Sequence, residues 1–487
     1  MKLAKWFLAC CALAIAARWG SFFISVINHD ESTYVVIADE LLRGEVYFRD
    51  VVDTKPIGIF WVYAALIKLT GGSIVALRTA AACVVGLGAW GLSLVGWRAT
   101  GSARVGRAAA VIYILICSLF TYYGVSPNTE IFFNVLTVFA VAVAVAPRVR
   151  PDGDDPMWHW PVAGLLLGLA VVIKPFAAAE SLAVGLFLVW FYGRRRRWAR
   201  LLAAGTALTA AFALPLLGVY LYYRHLGLLD ALWFYTVEVS GAYPVDLPWY
   251  LRLKYMGDYL LRFSPFVVLG ALTQVQWWRR WRGEEDGRVR WGLYLLLQFA
   301  LVTGVVLLTG KRFGHYQVQL HPVLALLAAC WWARGETSLP WLRGAARRAR
   351  LRYLVPVAFL LLGAAHYANY AAKRDEARQI ADYLRPRLAA GETFFAINGY
   401  QIAYHLLDRP VPTPYVHSSL LFLDHHVRAF RIDEVAEARR ILADPTVTYL
   451  IKRDPDAGAA GPVTDLLLAS FTEVDRIGDR LLVYRRR

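Results

Sequence analysis

Long apolar runs alternate along the chain with short, mostly basic connections. Runs near 5–27, 74–97, 107–123, 131–147, 201–223, 258–278, 291–309, 318–333 and 353–370 approach the roughly 17–25 residues a helix needs to cross a ~30 Å hydrocarbon layer. A further apolar stretch, 161–192, is broken by Lys174-Pro175. Proline after lysine in such a stretch predicts a turn between two helices. The pattern therefore predicts a mainly α fold, a polytopic membrane helix bundle of about 11 spans. The first run follows Lys2 and Lys5 and continues to Ile27 without a small-residue cleavage site, so it is expected to stay as the first transmembrane helix.

After Tyr370 the pattern changes. Glu376–Leu388 carries the apolar spacing of an amphipathic helix, while Glu392–Asn398, Val447–Lys452 and Arg480–Tyr484 read as strands. Residues 371–487 are thus expected to form a small α/β domain beside a transmembrane module of residues 1–370.

Composition narrows the class. Of 487 residues, 58% are hydrophobic and 18% charged, against about 45–50% and 25% in soluble domains, which argues against a cytosolic enzyme. The net charge of +17 alone would fit a nucleic-acid partner, but its placement does not. With the N-terminus inside, the inner loops hold Arg98, Arg104, Arg107, Arg148, Arg150, the Arg194–Arg200 cluster, Arg279–Arg290 and Arg334–Arg352. That is roughly 23 basic residues inside against about 9 outside, the bias of a membrane protein facing an anionic inner leaflet. An odd number of spans then places residues 371–487 outside. The five cysteines all lie in apolar segments, which argues against a disulfide framework.

Candidate chemistry gathers in the predicted outer loops. The first, 28–56, carries Asp30, Glu31, Asp39, Glu40, Glu45 and Asp50, with Asp53 and Lys55 at its end. Ile57–Leu69 behind it is apolar but too short to span, as expected of a helix in the outer interface. Asp30-Glu31, directly after the first predicted span, reads either as a general base for an acceptor hydroxyl or amine, or as a solvated stop to that helix. Lys311, Arg312, His315 and Tyr316 place positive charge where the inside bias disfavours it. They read as a site for a lipid phosphate or as interfacial anchors; Lys55 is a second phosphate candidate. Glu130 at a predicted helix start reads first as a complement to the helix dipole. Glu180 lies inside a span and needs a partner, for which Lys174 is expected. His29, Asp30 and Glu31 are adjacent and cannot easily converge on one ion, so no metal ligands are assigned and a divalent cation stays the one cofactor compatible with the site. His405, His417, His425 and His426 lack ligand spacing and read as surface or packing residues.

These motifs together resemble the GT-C class of polyprenyl-phosphate-dependent glycosyltransferases, in the branch with protein O-mannosyltransferases and lipid A aminoarabinose transferases. The resemblance runs from Asp30-Glu31-Ser32-Thr33-Tyr34 through Ala38, Leu41-Leu42, Gly44 and Tyr47 to Lys55-Pro56. It resumes at Gly164-x-x-x-Gly168-Leu169-Ala170 with Lys174-Pro175, and at His315-Tyr316 with Leu320-His321-Pro322. It implies a polyprenyl-phosphate-linked sugar donor and a lipid, glycan or protein acceptor on the extracytoplasmic face of a bacterial-type inner membrane. Asp30 is implied as catalytic carboxylate with Glu31 beside it, and Lys55 and the Lys311–Tyr316 group as holders of the donor phosphate. Tyr34, Asp53 and Glu130 complete the substrate-binding candidates. Where many relatives have Pro-Pro or Pro-Gly after the lysine, this chain has Pro56-Ile57-Gly58, and Thr54 replaces a frequent glutamate before it; a second carboxylate role stays open between Asp53 and Glu31. A polytopic transporter or flippase would place ionisable groups near the midplane and show internal repeats. An O-antigen-type polymerase or ligase would carry its main loop late in the chain. Neither fits the early acidic pair as well.

Overall fold

Most of the apolar runs become helices, but several helices end where buried polar groups intervene, short of where the run ends. The computed structural model describes residues 3–150, 155–242, 247–280, 287–310, 314–332, 345–417, 419–455 and 461–487. They divide into two units.

The first unit, residues 1–22, 78–219 and 245–370, is helical. Among the described residues, five helices are long and apolar enough to cross a membrane: Ile74–Thr100, Pro175–Gly193, Trp198–His225, Arg290–Leu308 and Tyr353–Ala371. The membrane helix bundle is as expected, but about 11 spans are not reached by these criteria of helix length. The first helix is Leu3–Arg18 and does not run to Ile27. Arg18 is buried, and its guanidinium donates to the carbonyls of Cys117, Gly124 and Val125 at 2.6, 2.9 and 2.8 Å. A buried cation needs such acceptors, and backbone outside a regular helix can supply them. The helix Ala103–Ile116 accordingly stops before Cys117, where the apolar run to 123 predicted more helix. The run at 258–278 is likewise divided, Trp249–Arg262 ending before Ser264–Arg280 begins. The run at 318–333 yields a 3₁₀ stretch, Gly314–Leu320, and the shorter helix His321–Trp332.

The break at Lys174-Pro175 does fall between two helices, His159–Ile173 and Ala178–Gly193, with Lys174 extended at φ −154°, ψ 125°. Gly164 and Gly168 sit one turn apart on the first of these. A Cβ on either would come within 2.2 Å of a carbonyl oxygen, Leu208 O or Phe212 O, of the helix Trp198–His225. Small residues here let two backbones touch, the packing logic of membrane helices.

The second unit comprises residues 23–77, 220–244 and 371–487. Its sheet has the order β1-β2-β4-β3: β1 (Thr393–Ala396) runs parallel to β2 (Val447–Arg453), which pairs antiparallel with β4 (Leu481–Arg486). The three expected strands are β1, β2 and β4. The edge strand β3 (Phe471–Ile477) was not expected, because only Phe471 of it is buried and its charged, exposed residues show no apolar alternation. The expected amphipathic helix is Glu376–Leu384, capped by Asp375 and burying Ala377, Ile380, Ala381 and Leu384. The boundary at 370/371 is a unit boundary, but residues 371–487 do not fill the unit alone. Val52 from the first loop and Val239 share one apolar core with Phe395, Leu420, Leu450 and Leu467. Val52 N donates to Pro414 O at 2.8 Å.

Candidate functional site

Asp30 and Glu31 lie in the first turn of a separate helix, His29–Arg43, so they are not held by the end of the first transmembrane helix as the sequence had implied. The Asn28 side chain caps this helix, accepting from Asp30 N at 2.7 Å. Two acids in the first turn complement the positive helix end. Glu31 is buried, whereas the Asp30 side chain keeps 15% of its exposure.

Loop 44–56 returns to this helix start and carries the counter-charge. Lys55 Nζ lies 2.6 Å from Asp30 Oδ1 and 3.6 Å from Asp53 Oδ2. The loop is shaped by the buried Tyr47 hydroxyl, 3.0 Å from the Asp53 carbonyl oxygen and 2.6 Å from that of Lys55. Tyr34, one turn below Asp30, packs on Phe60 and Tyr63 with its ring 5.7 Å from Lys55 Nζ. The space between two carboxylates, where a divalent cation could sit, is thus taken by an ammonium. Among the described residues no group of three or more His, Cys, Asp or Glu is arranged to hold a metal ion.

Two residues that sequence reasoning passed over join this cluster. His417, read as a surface or packing residue, places Nε2 3.8 Å from Asp30 Oδ1. Gln401 Nε2 donates to His29 O and Thr33 Oγ1, both at 3.2 Å, and pins the helix start. No spacing signal could have found them, since each lies more than 360 positions from its partner. Burial, reinforced by the Lys55 charge, holds the His417 pKa below its usual value against the pull of Asp53 and Asp30. Burial likewise lowers that of His29. His405 too is no idle surface residue: its ring nitrogens lie 2.7 Å from Asp39 Oδ2 and 2.7 Å from Gly72 O. Burial opposes its charge most strongly, but the Asp39 carboxylate and the Gly72 carbonyl together outweigh it and the His405 pKa is raised.

The remaining candidates lie in the helical unit. Glu130, in the first turn of Thr129–Ala140, forms a buried ion pair with Lys174. Lys174 Nζ also sits 3.9 Å from the centroid of the Tyr316 ring and 4.9 Å from that of Phe176. Lys174 is therefore the partner of Glu130, not of Glu180 as expected. Glu180 instead accepts from Gln319 Nε2 at 2.6 Å. Lys174 closes the helix His159–Ile173: its N–H still donates to Ala170 O at 3.0 Å, while its extended φ/ψ end the helix before Pro175. His315 and Tyr316 are buried in the 3₁₀ stretch with rings 4.7 Å apart. Lys311 and Arg312 lie outside the described residues. Of the ten candidates, Asp30, Asp53, Lys55 and Tyr34 form a carboxylate–lysine cluster in one unit with Glu31 buried beside Asp30, and Glu130 and Tyr316 meet about Lys174 in the other with His315 against Tyr316. The first has the parts of a base with a displaceable cation: a carboxylate, an ammonium that an anion can recruit, and a neutral imidazole.

Residues 54–223 match the family described as dolichyl-phosphate-mannose-protein mannosyltransferase. Undecaprenyl phosphate-alpha-4-amino-4-deoxy-L-arabinose arabinosyl transferase 1 of Pseudomonas fluorescens (strain Pf0-1) is 25% identical over 338 residues, covering 64% of this chain and 54% of that protein. The chain therefore spans about half the length of the curated relative it matches. Among solved structures, ArnT from Cupriavidus metallidurans bound to undecaprenyl phosphate is similar with a TM-score of 0.65 at 16% identity, over 99% of this chain and 98% of that one. The archaeal oligosaccharyltransferase AglB from Archaeoglobus fulgidus, in complex with an inhibitory peptide and a dolichol-phosphate, has a TM-score of 0.50 at 12% identity, over 92% of this chain and 69% of that one. The fold is of the GT-C kind, and the resemblance read from the motifs holds.

Proposed function

We propose that this chain is an integral-membrane glycosyltransferase that moves a sugar from a polyprenyl-phosphate carrier to a lipid, glycan or protein acceptor on the extracytoplasmic face of the membrane, with inversion at the anomeric carbon. The observation that carries the reading is the ion pair between Asp30 and Lys55 at 2.6 Å, with Asp53 beside it, in a fold of the GT-C kind. The matched relatives, whose names include phosphate-linked sugar transfer, support the choice of donor.

In this mechanism Asp30 takes the proton of the acceptor hydroxyl or amine as that atom attacks the anomeric carbon. The bond from that carbon to the carrier phosphate oxygen breaks, and its electron pair leaves with the phosphate. A phosphate leaving group gains little from protonation at neutral pH, so cations assist it, and Lys55 is the cation beside the base. One displacement from the opposite face inverts the centre. Tyr34 and Asp53 orient Lys55, while Lys311, Arg312, His315 and Tyr316 are assigned to the donor and Glu130 to the substrate side with them.

The test is incubation of the purified protein in lipid nanodiscs with a panel of polyprenyl-phosphate sugars, following release of free lipid phosphate and the anomeric configuration of the product. Acceptor-dependent release with inversion is expected. No release with any donor refutes the reading. A reporter fused after residue 487 that is active only outside the cytoplasm tests the orientation, and cytoplasmic reporter activity overturns it.

A further inference from the structure

Two nitrogens of different kinds stand near Asp30 Oδ1. Lys55 Nζ holds it at 2.6 Å, and His417 Nε2 stands behind at 3.8 Å, too far for a hydrogen bond while the lysine is in place. The orientation of the imidazole is set from its other side. The backbone N–H of Ser419 donates to Nδ1 at 3.2 Å, and Ser419 Oγ lies 2.8 Å from the same nitrogen. An N–H donating to Nδ1 requires a lone pair there, so the neutral ring carries its proton on Nε2, on the side of Asp30. The segment bearing His417 is itself fixed: Leu420 N donates to His417 O, and Pro414 O accepts from Val52 N of the loop that carries Lys55. The imidazole is thus registered against both the carboxylate and its cation.

We propose that His417 is a positioning residue for Asp30, its Nε2–H taking over the carboxylate oxygen that Lys55 releases when the lysine turns to the donor phosphate. This rests on the glycosyltransferase reading above and deepens it. The physical need is specific. A carboxylate paired with an ammonium is a weak base, because the cation stabilises its charged form. Transferring Lys55 to the phosphate strengthens the base but removes the 2.6 Å contact that had fixed Oδ1 at the moment the acceptor must be met in a narrow geometry. A neutral N–H closing by about an ångström restores the orientation and depresses the proton affinity less than a full positive charge does. Protonation of His417 defeats the arrangement, since an imidazolium would return a cation to Asp30. The surroundings keep the ring neutral: burial and Lys55 disfavour its charge, and Asp53 and Asp30 favour it less strongly. His29 on the helix of Asp30 also opposes its charge, and His426, from the short helix Asp424–Ala429, is a further titratable neighbour.

The experiment compares wild type, His417→Ala and His417→Gln in nanodiscs, with turnover, donor KM and the pH profile measured separately. His417→Ala should lose turnover by about 10- to 100-fold, the scale of an ångström-level misplacement, with little change in donor KM. His417→Gln, whose amide N–H can reach the same oxygen, should recover most of it. In His417→Gln the acid limb of the profile should move to lower pH, because the imidazolium that blocks the base can no longer form. Turnover of His417→Ala within twofold of wild type overturns the proposal, as does a loss that His417→Gln does not restore, the mark of a packing role. If the wild type releases no lipid phosphate from any donor, the functional reading fails, and the contact is judged by ¹⁵N-imidazole titration. Asp30→Asn should lower the His417 titration midpoint and leave the proton on Nε2 in the neutral form, and an unmoved midpoint overturns the proposal independently of activity.

Discussion

Replacing Asp30 with asparagine separates the two tasks assigned to the carboxylate-lysine cluster, because it removes the charge and keeps the shape. The chemical step should slow by about 100- to 10,000-fold, the usual cost of losing a general base, or roughly 2.7–5.4 kcal/mol of barrier. Donor binding should move the other way. In the free protein Lys55 is held by Asp30 at 2.6 Å, and the two side chains retain only 19% and 15% of their exposure. Such a pair lies between surface pairs, worth about 0–1 kcal/mol, and fully buried ones, where breaking a pair costs about 3–5. Asp53 at 3.6 Å keeps part of the lysine's stabilisation after the change. Freeing Lys55 for the phosphate should therefore contribute about 1–2 kcal/mol, or roughly 5- to 30-fold tighter donor binding. Calorimetry with a non-transferable polyprenyl-phosphate analogue gives the affinity, and lipid-phosphate release gives the rate. Near-normal transfer by Asp30→Asn would refute Asp30 as base. Weaker donor binding would refute the reasoning that Asp30 and the phosphate compete for Lys55.

Three further outcomes follow from the packing. Lys174→Met or Glu130→Met should each destabilise the helical unit by about 3–5 kcal/mol by breaking the buried pair, and combining the two should cost less than the two single losses added; additive losses in detergent-unfolding midpoints would sink the pairing. His405 has a raised pKa, so the folded state holds the proton more tightly than the unfolded chain. Its stabilisation is full below about pH 6.5 and is lost as pH rises through the higher folded value, and His405→Asn should flatten that part of the stability–pH curve. Gly164→Leu should lower the melting temperature sharply, since even a Cβ meets Leu208 O at 2.2 Å; an unchanged melting curve would show that the two helices do not meet as described.

The sequence by itself determined what depends on neighbours along the chain. Apolar runs of membrane length predict helices wherever they occur, because no backbone group can go unpaired in hydrocarbon. Proline has no N–H, so the break at Lys174-Pro175 was legible, as were the apolar strands β1, β2 and β4. The acidic run at 30–53 and the lysine behind it were visible as chemistry. Only the tertiary structure decided which charge meets which. Lys174 pairs with Glu130, 44 positions away, while Glu180 on its own hairpin accepts from Gln319. The first helix ends at Arg18, whose buried guanidinium takes carbonyls about a hundred residues distant, beyond the end of the helix Ala103–Ile116. His417 and Gln401 reached the start of the helix bearing Asp30 through a core that Val52 shares with the C-terminal sheet. Electrostatic pairing is set by distance in space, and a linear pattern carries the kind of charge at each position without the partner that folding brings to it.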